Sequence, residues 1–427
     1  MRIMKHISAS LQWVLFIISG NLVAPIAIAS AYGLEGTDAM LFIQRTLFVL
    51  SVAGLLQVLF GHKLPIHEGP AGLWWGVFTL YASLGVTLFG STTETLQVLQ
   101  FSLLLSGVLS ILLSIFGIVE KLAAYFTSTV MGIYLLLLVV QLSGAFFNGM
   151  LGLTYTQDGT IHSTIALISL AVMGLAFYLN TVPRLKQYSM MICICFGWVL
   201  FALFDLTTPI AHTTDLFTIP TLFAFGPPII EWSMVPTVFL VTLLLMTNML
   251  ASVRIMESVL KSKNEKVDNI SIKKAGFFTG VGQLIGGLFS AVGPVPISGA
   301  AGFVAANNIP SRIPFIIASV IIIGCSLLSP VTAFFATLPS SVGFAAIFPI
   351  FAGMLGLAIQ ELDRVHDRNT LYKTVGIPLF AGIGIMFVPS TAFGSLSPVL
   401  SSLLSNGLVF GTVIAIIFEV VRSRGTS

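Results

Sequence analysis

The sequence predicts an all-α polytopic membrane protein of about fourteen spans, built as a 7+7 inverted repeat in which spans 3 and 10 are broken by short extended segments. Three observations carry this. The 427 residues are 56% hydrophobic and 8% charged, with a mean hydropathy of +1.02. Soluble domains run near 25% charged, so the chain belongs in a bilayer. Apolar runs of about 20 residues recur without barrel-type alternation, which makes the spans helical. One clearly polar segment, Lys261 to Lys274, nearly bisects the chain.

The spans fall at roughly 10–32, 40–61, 69–90, 96–119, 122–146, 163–182, 186–205, 233–256, 275–293, 299–309, 314–337, 341–360, 372–391 and 398–420. The first is too long for a signal core and lacks a small-residue cleavage site, so it reads as a span. Lys and Arg set the orientation, because short cytoplasmic loops are rich in both. With the N-terminus inside, the inner loops hold Lys63, Lys121, Arg184, Lys186, the Lys261–Lys274 cluster, Arg312, Arg364, Arg368 and Lys373. The tails add Arg2, Lys5, Arg422 and Arg424, and the outer loops at Met150–His162 and Leu206–Glu231 hold no Lys or Arg. Arg45 alone sits away from the inner face, near the outer end of span 2, where it is expected to snorkel. Both termini are therefore expected in the cytoplasm. Seven spans precede the polar linker when the eighth is counted with the second half. Seven is odd, so a duplicated half must insert upside down.

The breaks open the third span of each half. The first reads Pro65-Ile66-His67-Glu68-Gly69-Pro70-Ala71-Gly72, and the second reads Pro296-Ile297-Ser298-Gly299-Ala300-Ala301-Gly302. Proline removes a backbone donor and disfavours helix just before it. Unpaired backbone survives in a bilayer only where protein buries it or water lines it. Paired breaks in matching places point to the binding site of a secondary transporter. One reading makes each break extended backbone leading into a helix whose N-terminal N–H groups hold a polar or anionic group. The other makes them ordinary loops or kinks. The helix after the second break, Gly299 to Ile309, has about eleven residues and covers roughly half of a 30 Å core, which favours the first reading there. Gly72–Gly90 is long enough to span alone, so both readings stand for the first break.

Glu68 is the acid at a break, and a mid-membrane carboxylate costs about 2.5–3.5 kcal/mol. It either takes a proton or binds a substrate N–H, or it lies solvated at the inner interface beside His67 and Lys63. Thr247 and Asn248, near the middle of span 8, face a substrate or bridge helices. Gln12, Asn21 and Gln283 carry the same ambiguity. Trp74 and Trp75 stack a planar ligand or pack. Arg254 and Glu257 lie three apart on one helix and can pair. His162, His212 and Asp215 read as solvated loop residues. Cys193, Cys195 and Cys325 read as packing residues. The net charge of +3 is spread over short loops, so no nucleic-acid partner is expected. HExxH, G-x-S-x-G, phosphate-loop and clustered His/Cys motifs are all missing, so neither an enzyme nor a cofactor nor a metal is expected.

Four segments, in order, resemble the nucleobase:cation symporter-2 family, the nucleobase–ascorbate transporters, which includes bacterial uracil and xanthine permeases. Ser10-Leu11-Gln12 with Pro25 matches its first span in spacing. Gly61-His62-Lys63-Leu64-Pro65-Ile66-His67-Glu68-Gly69 resembles its glycine–basic–(Leu/Ile)-Pro-x-x-x-Gly lead into span 3. Gly286-Gly287-Leu288-Phe289-Ser290-Ala291-Val292-Gly293-Pro294 resembles its run into span 10. Phe334 to Gly343 resembles its connection between spans 11 and 12. The likeness covers about residues 10 to 360.

The resemblance implies a core domain of spans 1–4 (1–120) and 8–11 (232–337) and a gate domain of spans 5–7 (121–231) and 12–14 (338–427). It also implies strands in spans 3 and 10 meeting at the substrate site, and a homodimer formed through the gate. The implied function is import of a nucleobase (uracil, xanthine or another purine) across the cell membrane, by symport with a proton or another cation. On this reading the backbone of Gly69, Pro70, Ala71 and Gly72 and of Ser298, Gly299, Ala300 and Ala301 holds the base. Asn248 and Thr247 add side-chain hydrogen bonds. Glu68 accepts a ring N–H and couples the proton. The family's uracil permeases carry a span-8 glutamate followed four residues on by histidine, where this chain has Thr247 and Ala251. Their span-10 acid falls here on Gly299, and their aromatic after the span-3 strand falls on Gly72. Without an acid, the span-10 helix N-terminus also suits an anion. The alternative is therefore an inorganic anion transporter of the sulfate-permease type.

Overall fold

The computed structural model describes residues 2–425 other than 120, 122–126, 154, 156–158, 184, 208, 211–214, 264, 266–269, 364–367, 390–391, 393–403 and 405. Arg184, His212 and Arg364 lie outside the described residues. The chain is mostly helical. In order the helices are α1 (Arg2–Ala31), α2 (Gly36–Leu59), α3 (Gly72–Phe89), α4 (Thr92–Ile115), α5 (Ser128–Met150), α6 (Ser163–Thr181), α7 (Ser189–Leu203), α8 (Val235–Ser262), α9 (Ile272–Leu288), α10 (Gly299–Asn307), α11 (Arg312–Leu327), α12 (Ser329–Ala336), α13 (Ser340–Asp363), α14 (Arg368–Met386) and α15 (Gly407–Gly425). Two three-residue strands, β1 (Glu68–Pro70) and β2 (Pro294–Pro296), precede α3 and α10. Eight of the described helices are long and apolar enough to cross a membrane, and four shorter ones are apolar over 10–17 residues.

Local chemistry sets the helix ends. Ser91, Thr127, Ser271 and Ser311 cap α4, α5, α9 and α11 through their hydroxyl oxygens, each satisfying an orphan first-turn N–H. α2 stops at a tight turn. The N–H groups of Gly61 and Lys63 both donate to the Gln57 carbonyl, and Lys63 takes φ +60°. A Cβ at Gly61 would overlap Gln57 Oε1, so glycine is what allows this reversal. Pro25 lies within α1 and leaves the Asn21 carbonyl without its helical donor. α10 is shorter than its sequence suggests and ends at Asn308, which adopts the left-handed conformation at φ 54°.

Glycines let the helices touch. At the α4–α9 crossing a Cβ on Gly107 would lie 2.8 Å from the Gly280 carbonyl, and one on Gly280 would lie 2.8 Å from the Gly107 carbonyl. Small residues of this kind let backbones approach where no hydrophobic force separates protein from lipid. α2, α8, α9 and α11 pack with α1 and α4, while α5 packs with α13, α14 and α15, and α6 with α7 and α13.

Arg45 corrects its expected snorkelling. It is 4% exposed, and its guanidinium sits 5.4 Å from the Phe225 ring and 6.0 Å from that of Phe42. Thr218 and Phe225, from the stretch before α8, lie over α2, so cation–π contact replaces solvent. The expected Arg254–Glu257 pair is present at 3.3 Å, and Lys261 joins it at 2.7 Å from the same carboxylate.

Candidate functional site: two strands and two helix starts

The two breaks meet as one antiparallel ladder, with Glu68 opposite Pro296, Gly69 opposite Val295 and Pro70 opposite Pro294. It extends by one bond at each end: the Ala71 N–H donates to the Gly293 carbonyl at 2.9 Å, and the Ile297 N–H to the His67 carbonyl at 3.1 Å. Hydrogen-bonded and non-bonded pairs alternate in such a ladder. Pro70, Pro294 and Pro296 therefore all occupy non-bonded positions, where a missing N–H removes no ladder bond. The same alternation turns the carbonyls of residues 68, 294 and 296 outward, and flanking helices meet each of them. Asn21 Nδ2 of α1 approaches the Glu68 carbonyl at 3.5 Å. Gln283 Nε2 of α9 donates to Pro294 at 2.6 Å, and Ser252 Oγ of α8 to Pro296 at 2.9 Å. The sequence left Asn21 and Gln283 open, and here they stand as backbone partners of the ribbon. Such pairing is what buried, non-helical backbone requires.

The local two-fold of this ladder maps Pro70 onto Pro296 and Gly72 onto Ser298. The Pro-Ile match in the sequence, which aligned Pro65 with Pro296, is therefore shifted by five residues. α3 and α10 leave the ladder in opposite directions, so their positive ends face each other across it. Four residues of strand separate Ala71 from the position of Ile297, or about 13 Å.

Ala300 and Ala301 already donate their N–H groups to the Ile297 and Ser298 carbonyls. Ala71 spends its own in the ladder, and Pro70 has none. Among the described residues, Gly72, Ser298 and Gly299 keep backbone N–H groups without a protein acceptor. These are also where space opens. A Cβ at Gly72 or Gly302 would meet nothing within 4 Å, and one at Gly299 only Ile297 Cγ2 at 3.6 Å. Ser298 and Gly299 are exposed, and Gly72 is half-buried.

The side chains divide between the two faces of the ladder. A Cβ at Gly69 would approach Asn21 Oδ1 of α1 at 3.3 Å, whereas Glu68 turns the other way, its Cγ 3.9 Å from the Cβ position of Gly54 on α2. Glu68 is 2% exposed, with Oε1 unpartnered. The solvated interfacial reading of Glu68 is thereby excluded. His67 is also buried, with its ring edge-on to Phe16 at 5.1 Å. Asn248 is half-buried one turn before Ser252, with its Oδ1 3.3 Å from Ser252 Oγ, whose one proton goes to the nearer Pro296 carbonyl. Thr247, also half-buried, donates its hydroxyl to Leu243 of its own helix at 3.0 Å. Trp74 is fully buried against Gly293, and Trp75 packs on Phe146, Phe344 and Phe351. Both tryptophans are framework. His162 caps α6 by accepting from the Ile165 N–H at 3.4 Å. The described residues contain no group of His, Cys, Asp and Glu able to hold a metal.

Known proteins place this arrangement. The fold is similar to the transmembrane domain of a cyanobacterium bicarbonate transporter, BicA, with a TM-score of 0.60 at 13% identity over 97% of each chain. In sequence the chain is 43% identical to YwdJ of Bacillus subtilis (strain 168), a protein assigned as a purine permease, over 99% of this chain and 97% of that one. It is 25% identical to the xanthine permease of the same organism, over 98% of this chain and 93% of that one. Residues 4–391 match the model of the Permease family. The chain therefore belongs to this permease family, the nucleobase:cation symporter-2 group that its four motifs resemble, and is a membrane transporter and not an enzyme.

Proposed function

We propose that this permease imports a purine-type nucleobase by proton symport. One observation carries the reading. Two helix N-termini, with free N–H groups at Gly72 and at Ser298–Gly299, face each other across a three-residue ladder beside open space. After a hydrogen bond of about 2.9 Å at each end, the gap of about 13 Å leaves about 7 Å. That is the width of a planar heterocycle with polar atoms on opposite edges. Both donors suit ring carbonyls, and the xanthine permease among the relatives carries such a base by name. Asn248 lies one turn from the Ser252–Pro296 bond and supplies a side-chain hydrogen bond from α8. Thr247 contributes less, since its hydroxyl proton is already committed to Leu243.

Glu68 is the proposed proton carrier. Its side chain leaves the ladder toward α2, with Cγ near Gly54, on the opposite side from Asn21. That position favours proton coupling over a direct bond to the base. One proton moving down a 100 mV potential releases about 2.3 kcal/mol, or roughly 50-fold accumulation.

The frame for this is a fourteen-span inverted repeat with core segments 1–120 and 232–337 and gate segments 121–231 and 338–427. The separate packing of α1, α2, α4, α8, α9 and α11 on one side and of α5, α13, α14 and α15 on the other supports that division. In the cell membrane both termini face the cytoplasm, and two chains associate through the gate.

The test is uptake of labelled xanthine, uracil, guanine and adenine into cells or proteoliposomes, with and without an uncoupler. Uncoupler-sensitive uptake of at least one is expected, and uptake of none removes the substrate class. A second reading, transport of an inorganic anion, is favoured by the absence of any acid at the start of α10. Competition of base uptake by sulfate or bicarbonate would decide for it.

A further inference from the structure

A cavity of about 330 Å³ opens beside the loop that leads into β1, where the α2–β1 turn, residues of the α8–α9 linker and the α10–α11 turn converge. All three belong to the face expected to be cytoplasmic. The residues around it are chemically one-sided. Among the described residues, Lys63, Lys274 and Arg312 bring three positive charges, against the one carboxylate of Glu265. All four are exposed, and among the described residues none of them forms an ion pair. Two helices also begin at the cavity. Ser271, which caps α9, and Ser311, which caps α11, both line it, so two positive dipole ends add to the three cations.

A buried side chain gives the second, independent sign of a ligand. His62 lines the cavity and is 1% exposed. Its Nδ1 accepts a hydrogen bond from the Leu64 N–H at 3.0 Å, which makes Nδ1 the unprotonated nitrogen. The proton of the neutral ring therefore sits on Nε2, and Nε2 is buried with no partner. Burial holds this imidazole neutral, lowering its pKa to about 3, so it is a fixed donor and not a fourth cation. A buried donor left unpaired is costly unless an acceptor arrives.

We infer that this cavity binds the phosphate group of a small organic phosphate, with Lys63, Lys274 and Arg312 neutralising its charge and His62 Nε2 donating to one of its oxygens. Three cations and one acid suit a dianion better than a monovalent ion. The volume falls in the range of small-molecule pockets, about 300–1,000 Å³, so there is room for the organic part of the ligand. The phosphate chemistry is shared by soluble phosphate esters and by the headgroup of an anionic lipid. The site belongs to the same loop that enters β1, three residues after Pro65. An occupant would tie that loop to the start of α11 in the other half.

The test uses the full chain in nanodiscs of phosphatidylcholine, with thermal stability as the readout and chloride holding ionic strength constant. Glycerol 3-phosphate is the soluble probe, and phosphatidic acid mixed into the disc is the lipid probe. A saturable stabilisation by either supports the site, and which probe gives it identifies the source. Arg312→Gln and Lys274→Gln, both at exposed positions, should each weaken the apparent affinity by about tenfold. His62→Phe should weaken it while keeping the ring volume. If it does not fold, the two surface variants carry the test. No saturable response to either probe, or an equal response in wild type and both surface variants, overturns the proposal. Base uptake is not part of the readout, so failure here leaves the transport reading intact.

Discussion

The two breaks perform the same backbone geometry with opposite chemistry. The first half brings His67 and Glu68, both buried, to β1, and then a full-length helix whose first turn is locked by Trp74 and Trp75. The second half brings Pro294, Val295 and Pro296 to β2, and then a nine-residue helix with Ser298, Gly299 and Gly302 exposed. One side holds an ionisable group inside packed protein, and the other holds bare backbone against open space. The ladder joins them, so one short ribbon carries a buried acid on its first strand and opens onto unpaired N–H groups after its second.

The sharpest way to break this comparison is to fill the first half's packing. A Cβ at Gly293 would lie 2.5 Å from both Trp74 Cδ1 and Gln283 Oε1. Gly293→Val should yield no folded protein on size-exclusion chromatography, whereas Gly72→Ala, whose methyl meets nothing within 4 Å, should fold as wild type. Next in size is Glu68→Gln. It should fold normally and still exchange labelled base across the membrane, but lose the roughly 50-fold uncoupler-sensitive accumulation that one proton per 100 mV allows. Normal pH-dependent accumulation by this variant would remove the proton role from the first half.

The outward carbonyls give smaller effects. Gln283→Leu keeps the side-chain volume but strands the Pro294 carbonyl, at a cost of about 1–3 kcal/mol, visible as a lowered Tm in detergent. Ser252→Ala should cost about 1 kcal/mol, because half-buried Asn248 stands beside the freed Pro296 carbonyl. The smallest expected change is Asn248→Ala, which should raise KM for the base with little effect on Tm. A lowered Tm without a KM change would make Asn248 purely structural.

Much of this was legible in the sequence. Two proline-rich interruptions a half-chain apart mark the breaks, and the short run after Gly299 marks α10 as too short to cross the core alone. The register was not legible. A Pro-Ile match drew Pro65 onto Pro296, whereas hydrogen-bond alternation pairs the ladder so that Pro70 is the true counterpart. Nor could the sequence say that Asn21, Gln283 and Ser252 serve the ribbon's backbone, because partners 11 to 47 residues apart depend on packing. Arg45 misled for a related reason. Its neighbour Phe225 comes from a segment that reads as outer loop and folds back as cover. His62 reads in the sequence only as part of a motif, because its burial and the Leu64 bond to Nδ1 have no sequence signature.

The ladder also carries a consequence for how the chain is made. Gly69 reaches the membrane 226 residues before its partner Val295. At roughly 5–20 residues per second, the first break waits about 10–45 s with the Ala71 donor and the His67 acceptor unanswered. During that interval the nascent first half needs water, a translocon wall or a chaperone as a temporary substitute for β2. Ribosome stalling between the two breaks should therefore leave β1 open to proteases that the finished transporter excludes.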